Sequence, residues 1–213
     1  MKKTRWLFRA VTGVSILFIL YALADNFVFD PGARIFLSYK TGLKHELKLP
    51  LWLNMMRIHV AFACLAMAAG LLNFSNRILD KSRKFHRING YVYLISVLVV
   101  VLTSGYMAPY ATGGKISGIG FNAINLLWLF ITLMALIRIK QRRITAHRNW
   151  MIRSYAFCFT NMMIHLITSL VHHGFGSDYV TAYTISVYSS IALLLIIPDV
   201  IIRTLIPSRL TNS

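Results

Sequence analysis

The chain has 213 residues, of which 57% are apolar and 14% charged, and it carries a formal net charge of +17. It is too apolar for an ordinary soluble domain, and its length suits one compact unit. The basic excess is not laid out as an aromatic-interleaved basic domain, which argues against nucleic acid as a partner.

Apolar runs of the ~20 residues that a bilayer core requires recur six times, at 6–24, 51–73, 91–110, 119–139, 150–171 and 182–202. The expected fold class is all-α, a polytopic transmembrane bundle of six helices forming one integral membrane domain over 1–213. The first run comes after two lysines and ends in Ala22-Leu23-Ala24 before Asp25, features shared with cleavable signal peptides. Its apolar core is long and five more runs come after it, so it reads as a retained helix. Residues 25–50 form the longest loop, with Pro31-Gly32 and an amphipathic piece at 33–39 that lies on the membrane surface or caps the bundle.

The later connections alternate. Segments 75–89 and 138–148 are strongly basic, whereas 111–118 and 172–181 are short, Gly-containing turns with little charge. With the N-terminal residues, Arg153 and the C-terminus from Arg203 onward, one side holds 17 of the 23 Lys and Arg. Arg34, Lys40, Lys44, Lys48, Arg57 and Lys115 hold the other. The positive-inside rule then puts both termini in the cytoplasm. The expected location is a membrane crossed several times, with anionic headgroups against the basic side.

Each basic loop closes with His-Arg, at His86-Arg87 and His147-Arg148, 61 residues apart. Spans two and three form one hairpin and spans four and five another, which points to a four-helix core with spans one and six around it. The repeat is weak, because Gly120 stands in span four where span two has His59.

Intramembrane ionisable groups are functional candidates. His147 and His165 are 18 residues apart, five turns of helix or ~27 Å. In a continuous helix they share a face with Met151, Ser154, Cys158, Asn161 and Ser169, which should face the bundle interior. Span two carries His59, Ala63, Ala66, Gly70 and Asn73 on one face, small enough for close helix approach or for a flat ligand. His59 lies ~12 Å and His165 ~9 Å inside the outer ends of their spans. His86 and His147 lie just before their helices begin on the inner side. Two depth-matched pairs result, His59 with His165 and His86 with His147.

Paired imidazoles at two depths are what two haem b groups require as axial ligands. Arg57 and Arg153 are candidate partners for haem propionates, with Asn161 beside them as a further cofactor-binding candidate. The leading expectation is transmembrane electron transfer, with quinone or another redox partner. Plainer readings stand beside it. The inner histidines suit contacts to lipid phosphate or helix-end roles, and the outer ones suit hydrogen bonds across the bundle. Asp199, after Pro198, suits an ion path, or an i, i+4 pair with Arg203, the preferred reading. Two further expectations are a transporter or permease-like protein using Arg57, Arg153 and Asp199, and a non-catalytic subunit that organises lipid. Cys64 and Cys158 read as buried membrane thiols. The tandem His172-His173 makes a poor metal site. No HExxH, G-x-S-x-G or phosphate loop is present, so hydrolytic chemistry has little support.

Four pieces of the core, HVAFACLAMAAGLLNF, KFHRINGYVYL with a later SGY, GFNAINLLWLFITLMAL and AHRNWMIRSYAFCF, resemble a family of bacterial predicted membrane proteins carrying domain of unknown function 2306. They cover roughly half the chain and all of spans two to five. HRxxGxxY and HRxWMxRSYA are the specific parts. The resemblance implies fold and location more than activity. More loosely, the core is similar to the ascorbate-reducible two-haem transmembrane cytochromes b, which place one histidine on each of four core helices. Here span four has none and span five has two.

Overall fold

The computed structural model describes residues 2–40 and 47–205. Lys44 and Arg209, which count toward the orientation, lie outside the described residues. The described residues form nine α-helices: α1 (Lys2–Ala24), α2 (Arg34–Ser38), α3 (Leu49–Asn73), α4 (Asn76–Lys81), α5 (Arg83–Met107), α6 (Gly114–Lys140), α7 (Ile144–Ala156), α8 (Thr160–Ser169) and α9 (Tyr179–Leu205). Six stretches are long and apolar enough to cross a membrane: Arg5–Phe29, Leu49–Asn73, Arg83–Tyr110, Gly114–Lys140, Ile144–Gly174 and Tyr179–Thr204.

The helices start and stop where the local chemistry allows. Pro50 sits in the first turn of α3, where its missing N–H is not needed. The Ser82 hydroxyl accepts the Phe85 amide and opens α5, and the Asp178 carboxylate accepts the Thr181 amide at the start of α9. Gly113, at φ +84°, forms the left-handed corner between α5 and α6. A side chain there would run into the hydroxyls of Ser117 and Thr184.

The long helices begin earlier than the apolar runs, α5 and α7 by the most. α5 starts at Arg83 and α7 at Ile144, so His86 and His147 lie in the first turns of their helices instead of ahead of them. Polar residues extend a membrane helix into the headgroup layer, which hydropathy does not register. The expected surface piece at 33–39 is the short helix α2.

α3 and α5 pack as one hairpin, α6 and α7 as another, and α8 packs on α9. The core reaches beyond spans two to five, since Tyr183, Val187 and Leu194 of α9 are buried with Val97, Trp128 and Phe157. The first span is peripheral, with 11% of its apolar stretch buried against 28–39% in the other five. Leu17, Leu102, Leu126 and Leu170 point away from the protein, as lipid-facing leucines should.

Buried hydroxyls join the helices in directed chains. Tyr93 donates to Ser154 at 2.7 Å, Ser154 to Thr132 at 2.7 Å, and Thr132 to the Trp128 carbonyl at 2.7 Å. Ser15 donates to Tyr155 at 3.1 Å, and Tyr155 to the Met67 carbonyl at 3.2 Å. Asn89 donates to Ala69 O and Asn73 Oδ1. Each such bond contributes about 0.6–2 kcal/mol in lipid. The two His-Arg motifs meet here, because Tyr93 closes one and Ser154-Tyr155 the other.

Candidate functional site

The fifth span is not one continuous helix. Phe157–Phe159 is a 3-10 turn between α7 and α8. Such a turn advances about 120° per residue against about 100° in an α-helix, so three residues rotate α8 by about 60° relative to α7. Ser154 of α7 is fully buried. Beyond the turn the interior positions pass to Ile164 and Thr168, while Asn161, His165 and Ser169 are exposed. The polar stripe expected to run inward from His147 to Ser169 therefore turns outward halfway along.

The expected histidine tiers fare differently. His59 directs Nδ1 at α5, 3.1 Å from Thr103 Oγ1 and 3.2 Å from Val100 O. The Thr103 hydroxyl donates to Val99 O, so His59 Nδ1–H is the donor. His165 lies in the field of Asp25 at the outer end of the first span. Among the described residues no hydrogen bond or ring contact joins His59 to His165. In the inner tier, His147 Nδ1 donates to Ala135 O at 2.8 Å, which leaves Nε2 uncommitted. His86 stands near enough for the His147 charge to act on it. Its own Nδ1 is buried without a hydrogen-bond partner. A ligating imidazole commonly gives its other N–H to a carbonyl; His147 does so and His86 does not. Among the described residues no group of three or more His, Cys, Asp or Glu gathers as a metal-ion site.

Arg153 and Asp199 find one another. Arg153 Nε lies 2.6 Å from Asp199 Oδ1, and its guanidinium sits 5.0 Å from the Trp150 ring centre. This corrects the expected Asp199–Arg203 pair: the packing of α7 on α9 brings a bridging guanidinium closer than the next turn does. Arg57 donates to Pro31 O at 3.0 Å and ties α3 to the outer loop.

The stripe of small residues on α3 does not leave room for a flat ligand at Gly70. A Cβ there would overlap the Tyr155 ring and lie 3.4 Å from Cε2 of Tyr93. The protein's own rings fill the space. Gly120 likewise receives Val187 of α9, 2.6 Å from an added Cβ.

The open volume lies elsewhere. A cavity of about 1090 Å³ is bounded by the N-terminal half of α1, the end of α3, α7, the start of α8 and the Leu194–Ile201 stretch of α9. Its walls are apolar, with Phe8, Phe159, Met163 and Ile197 among them, and Tyr155 carries its polar chain into the bundle. Four arginines line it: Arg5, Arg9, Arg77 and Arg148. All four belong to the basic side. Among the described residues no Asp or Glu lines it. Among the described residues none of the four guanidiniums makes a hydrogen bond, ion pair or ring contact; the single ion pair is Arg153–Asp199. In the sequence these arginines stand out only as orientation signals. The one hint of more is Arg148, inside the second His-Arg motif.

No curated protein and no solved structure matches the chain. The model of the predicted membrane protein family DUF2306 matches residues 56–202, from within α3 to the last turns of α9, so the chain belongs to that family of multi-pass membrane proteins.

Proposed function

We propose that the protein binds an anionic amphiphile from the leaflet on its basic side, with the charged headgroup on the arginines and the chain in the apolar cavity. Under the positive-inside rule this is the inner leaflet of a bacterial cytoplasmic membrane. One observation carries the reading: among the described residues, four guanidiniums without protein partners and no carboxylate stand at an apolar cavity. Guanidinium is the side chain best suited to phosphate or carboxylate in fork geometry. The volume suits a lipid-sized ligand, lying just above the ~300–1,000 Å³ usual for small-molecule sites. Binding of this kind serves lipid organisation or lipid movement equally.

The test is lipid retention. The protein is reconstituted in nanodiscs of phosphatidylcholine with or without phosphatidylglycerol and phosphatidate, then extracted in mild detergent and weighed by native mass spectrometry. Anionic lipid should stay bound and zwitterionic lipid should not. Equal retention of both, unchanged when Arg9, Arg77 and Arg148 are replaced by Gln, overturns the reading.

A second reading is electron transfer through haem b, with quinone as a partner. It is favoured by one feature, the buried and unpartnered Nδ1 of His86 beside His147. In this reading His86 and His147 would hold the iron, and the haem would supply one-electron chemistry. An absorption spectrum of the purified protein decides it. A Soret band and a dithionite-reduced α-band, both lost in His86→Gln and His147→Gln, support the reading. Their absence from the wild type, after expression with added haem, removes it.

A further inference from the structure

We infer that the headgroup taken by the arginine-lined cavity is a phosphomonoester at the end of a lipid chain, in preference to a phosphodiester. The inference rests on the amphiphile reading above and narrows it.

The first argument is charge. Among the described residues four arginines and no carboxylate line the cavity. Arg5 and Arg9 are four residues apart on α1, where like charges repel across one turn. A diester headgroup brings one negative charge. A monoester brings about −1.5 to −2 at neutral pH, and so neutralises more of an unscreened cluster.

The second argument is the direction of approach. The cations come from three separate segments: Arg5 and Arg9 from α1, Arg77 from α4 next to the α3 corner, and Arg148 from α7. Ser75 also lines the cavity, and its hydroxyl makes no side-chain hydrogen bond among the described residues. Cations carried by three elements around one cavity suit a terminal phosphate, which offers three free oxygens. A diester offers two, with organic substituents on the remaining sides. Each guanidinium can engage two oxygens in parallel, so a third free oxygen lets a further arginine bind without competition.

The third argument is the sign of the pH response. The second ionisation of a phosphomonoester lies near ~6, so binding should strengthen as pH rises from about 5 to about 7.5. No lining group accounts for such a rise. Among the described residues the ionisable side chains on the cavity are the four arginines and Tyr155, and neither guanidinium nor phenol changes charge in that interval. The neighbouring charged groups are Asp80 and Lys81 on α4, and Arg153 with Asp199 beside the α7 and α9 walls. The imidazoles on this side belong to His86 and His147, and protonation of an imidazole adds positive charge and so favours anions at low pH. That is the opposite trend.

The experiment is competition between lipids of equal chain composition. Full-length protein in nanodiscs containing phosphatidate, phosphatidylglycerol and phosphatidylcholine in equal amounts is extracted at about pH 5 and about pH 7.5, on either side of that ionisation. Bound lipid is counted by native mass spectrometry. Phosphatidate should be retained several-fold over phosphatidylglycerol at the higher pH, with the preference shrinking at the lower. Arg148→Lys, which keeps the charge and loses the fork, should narrow the preference while leaving the thermal unfolding temperature unchanged. Added inorganic phosphate should not displace the lipid, because it lacks the chain. Equal retention of the two anionic lipids, both above phosphatidylcholine, overturns the phosphomonoester inference and leaves the amphiphile reading standing. Equal retention of all three overturns both.

Discussion

The two ends of this bundle treat their cations differently. On the outer side the exposed Arg34, Lys48 and Lys115 make no side-chain hydrogen bond or ion pair among the described residues, while the two half-buried basic groups have protein acceptors: Arg57 donates to Pro31 O, and Lys40 donates to Tyr110 O while lying over the rings of Phe36 and Trp52. Trp52 and Met56 are buried beneath them with Ala33, so this end is plugged by α2 and the outer loop. On the basic side four arginines line a cavity and make no hydrogen bond or ion pair among the described residues. A cation with an internal acceptor reinforces the fold. A cluster without one, beside apolar walls, is where we propose that an outside ligand binds. Composition treats the two sets alike, and only their partners separate them.

The most damaging change to the basic end is removal of its charges. Replacing Arg9, Arg77 and Arg148 together by Gln should cut anionic-lipid retention by more than about tenfold, since each charge-assisted hydrogen bond is worth about 1.5–3 kcal/mol and 1.4 kcal/mol is a factor of ten. The same treatment of Arg57 at the outer end should leave retention unchanged. Equal losses at both ends would erase the contrast. Native mass spectrometry reads both.

Gly70→Ala attacks the wall between the cavity and the core. Its Cβ would need the Tyr155 ring to move, and overpacking of this kind costs about 1–3 kcal/mol. The thermal unfolding midpoint in detergent should fall clearly, and Ala66→Gly, one turn away, should not mimic the clash.

Asp199→Asn strands Arg153 in a partly buried site, where its side chain is 27% exposed. The expected loss is about 1–2 kcal/mol, between the exposed and buried cases. The exchange Arg153→Asp with Asp199→Arg should recover part of it in a denaturation series. No recovery would mean that the pair does not hold α7 to α9. Tyr93→Phe removes the head of the chain through Ser154 and Thr132 and should cost about 0.6–2 kcal/mol by the same assay.

The smallest effect belongs to Lys40 at the outer end. Burial lowers its ammonium from 10.5 to about 8. The unfolded chain then binds more protons between about 8 and 10.5, so this group makes stability rise with pH across that window. Below about pH 8 both states carry the proton, and its desolvation weighs on the fold in full. Lys40→Met should be more tolerant of neutral pH and should lose the Lys40 share of the rise. Urea titrations across the window measure it.

How far the chain can be read without its fold differs from element to element. The six crossings and the basic side were legible because hydropathy and loop charge are local properties. The nearness of His86 to His147 was legible too, since both stand at the starts of helices on the basic side. Asn161 and His165 were not. Three residues of 3-10 turn at Phe157–Phe159 rotate them outward, and no apolar period marks that turn. Arg153 and Asp199 are 46 residues apart, so their pairing depends on how α7 lies against α9.

By itself, then, the amino-acid order determined that this is a six-pass helical membrane protein of the DUF2306 family, with its cations gathered on one face. Only the tertiary structure decided which of those cations are already answered by the protein and which surround an open cavity. The physical reason is that helix and membrane insertion are set by nearest neighbours along the chain. A binding cavity is built from segments far apart in sequence, here α1, α4, α7 and α9, and exists only once they pack.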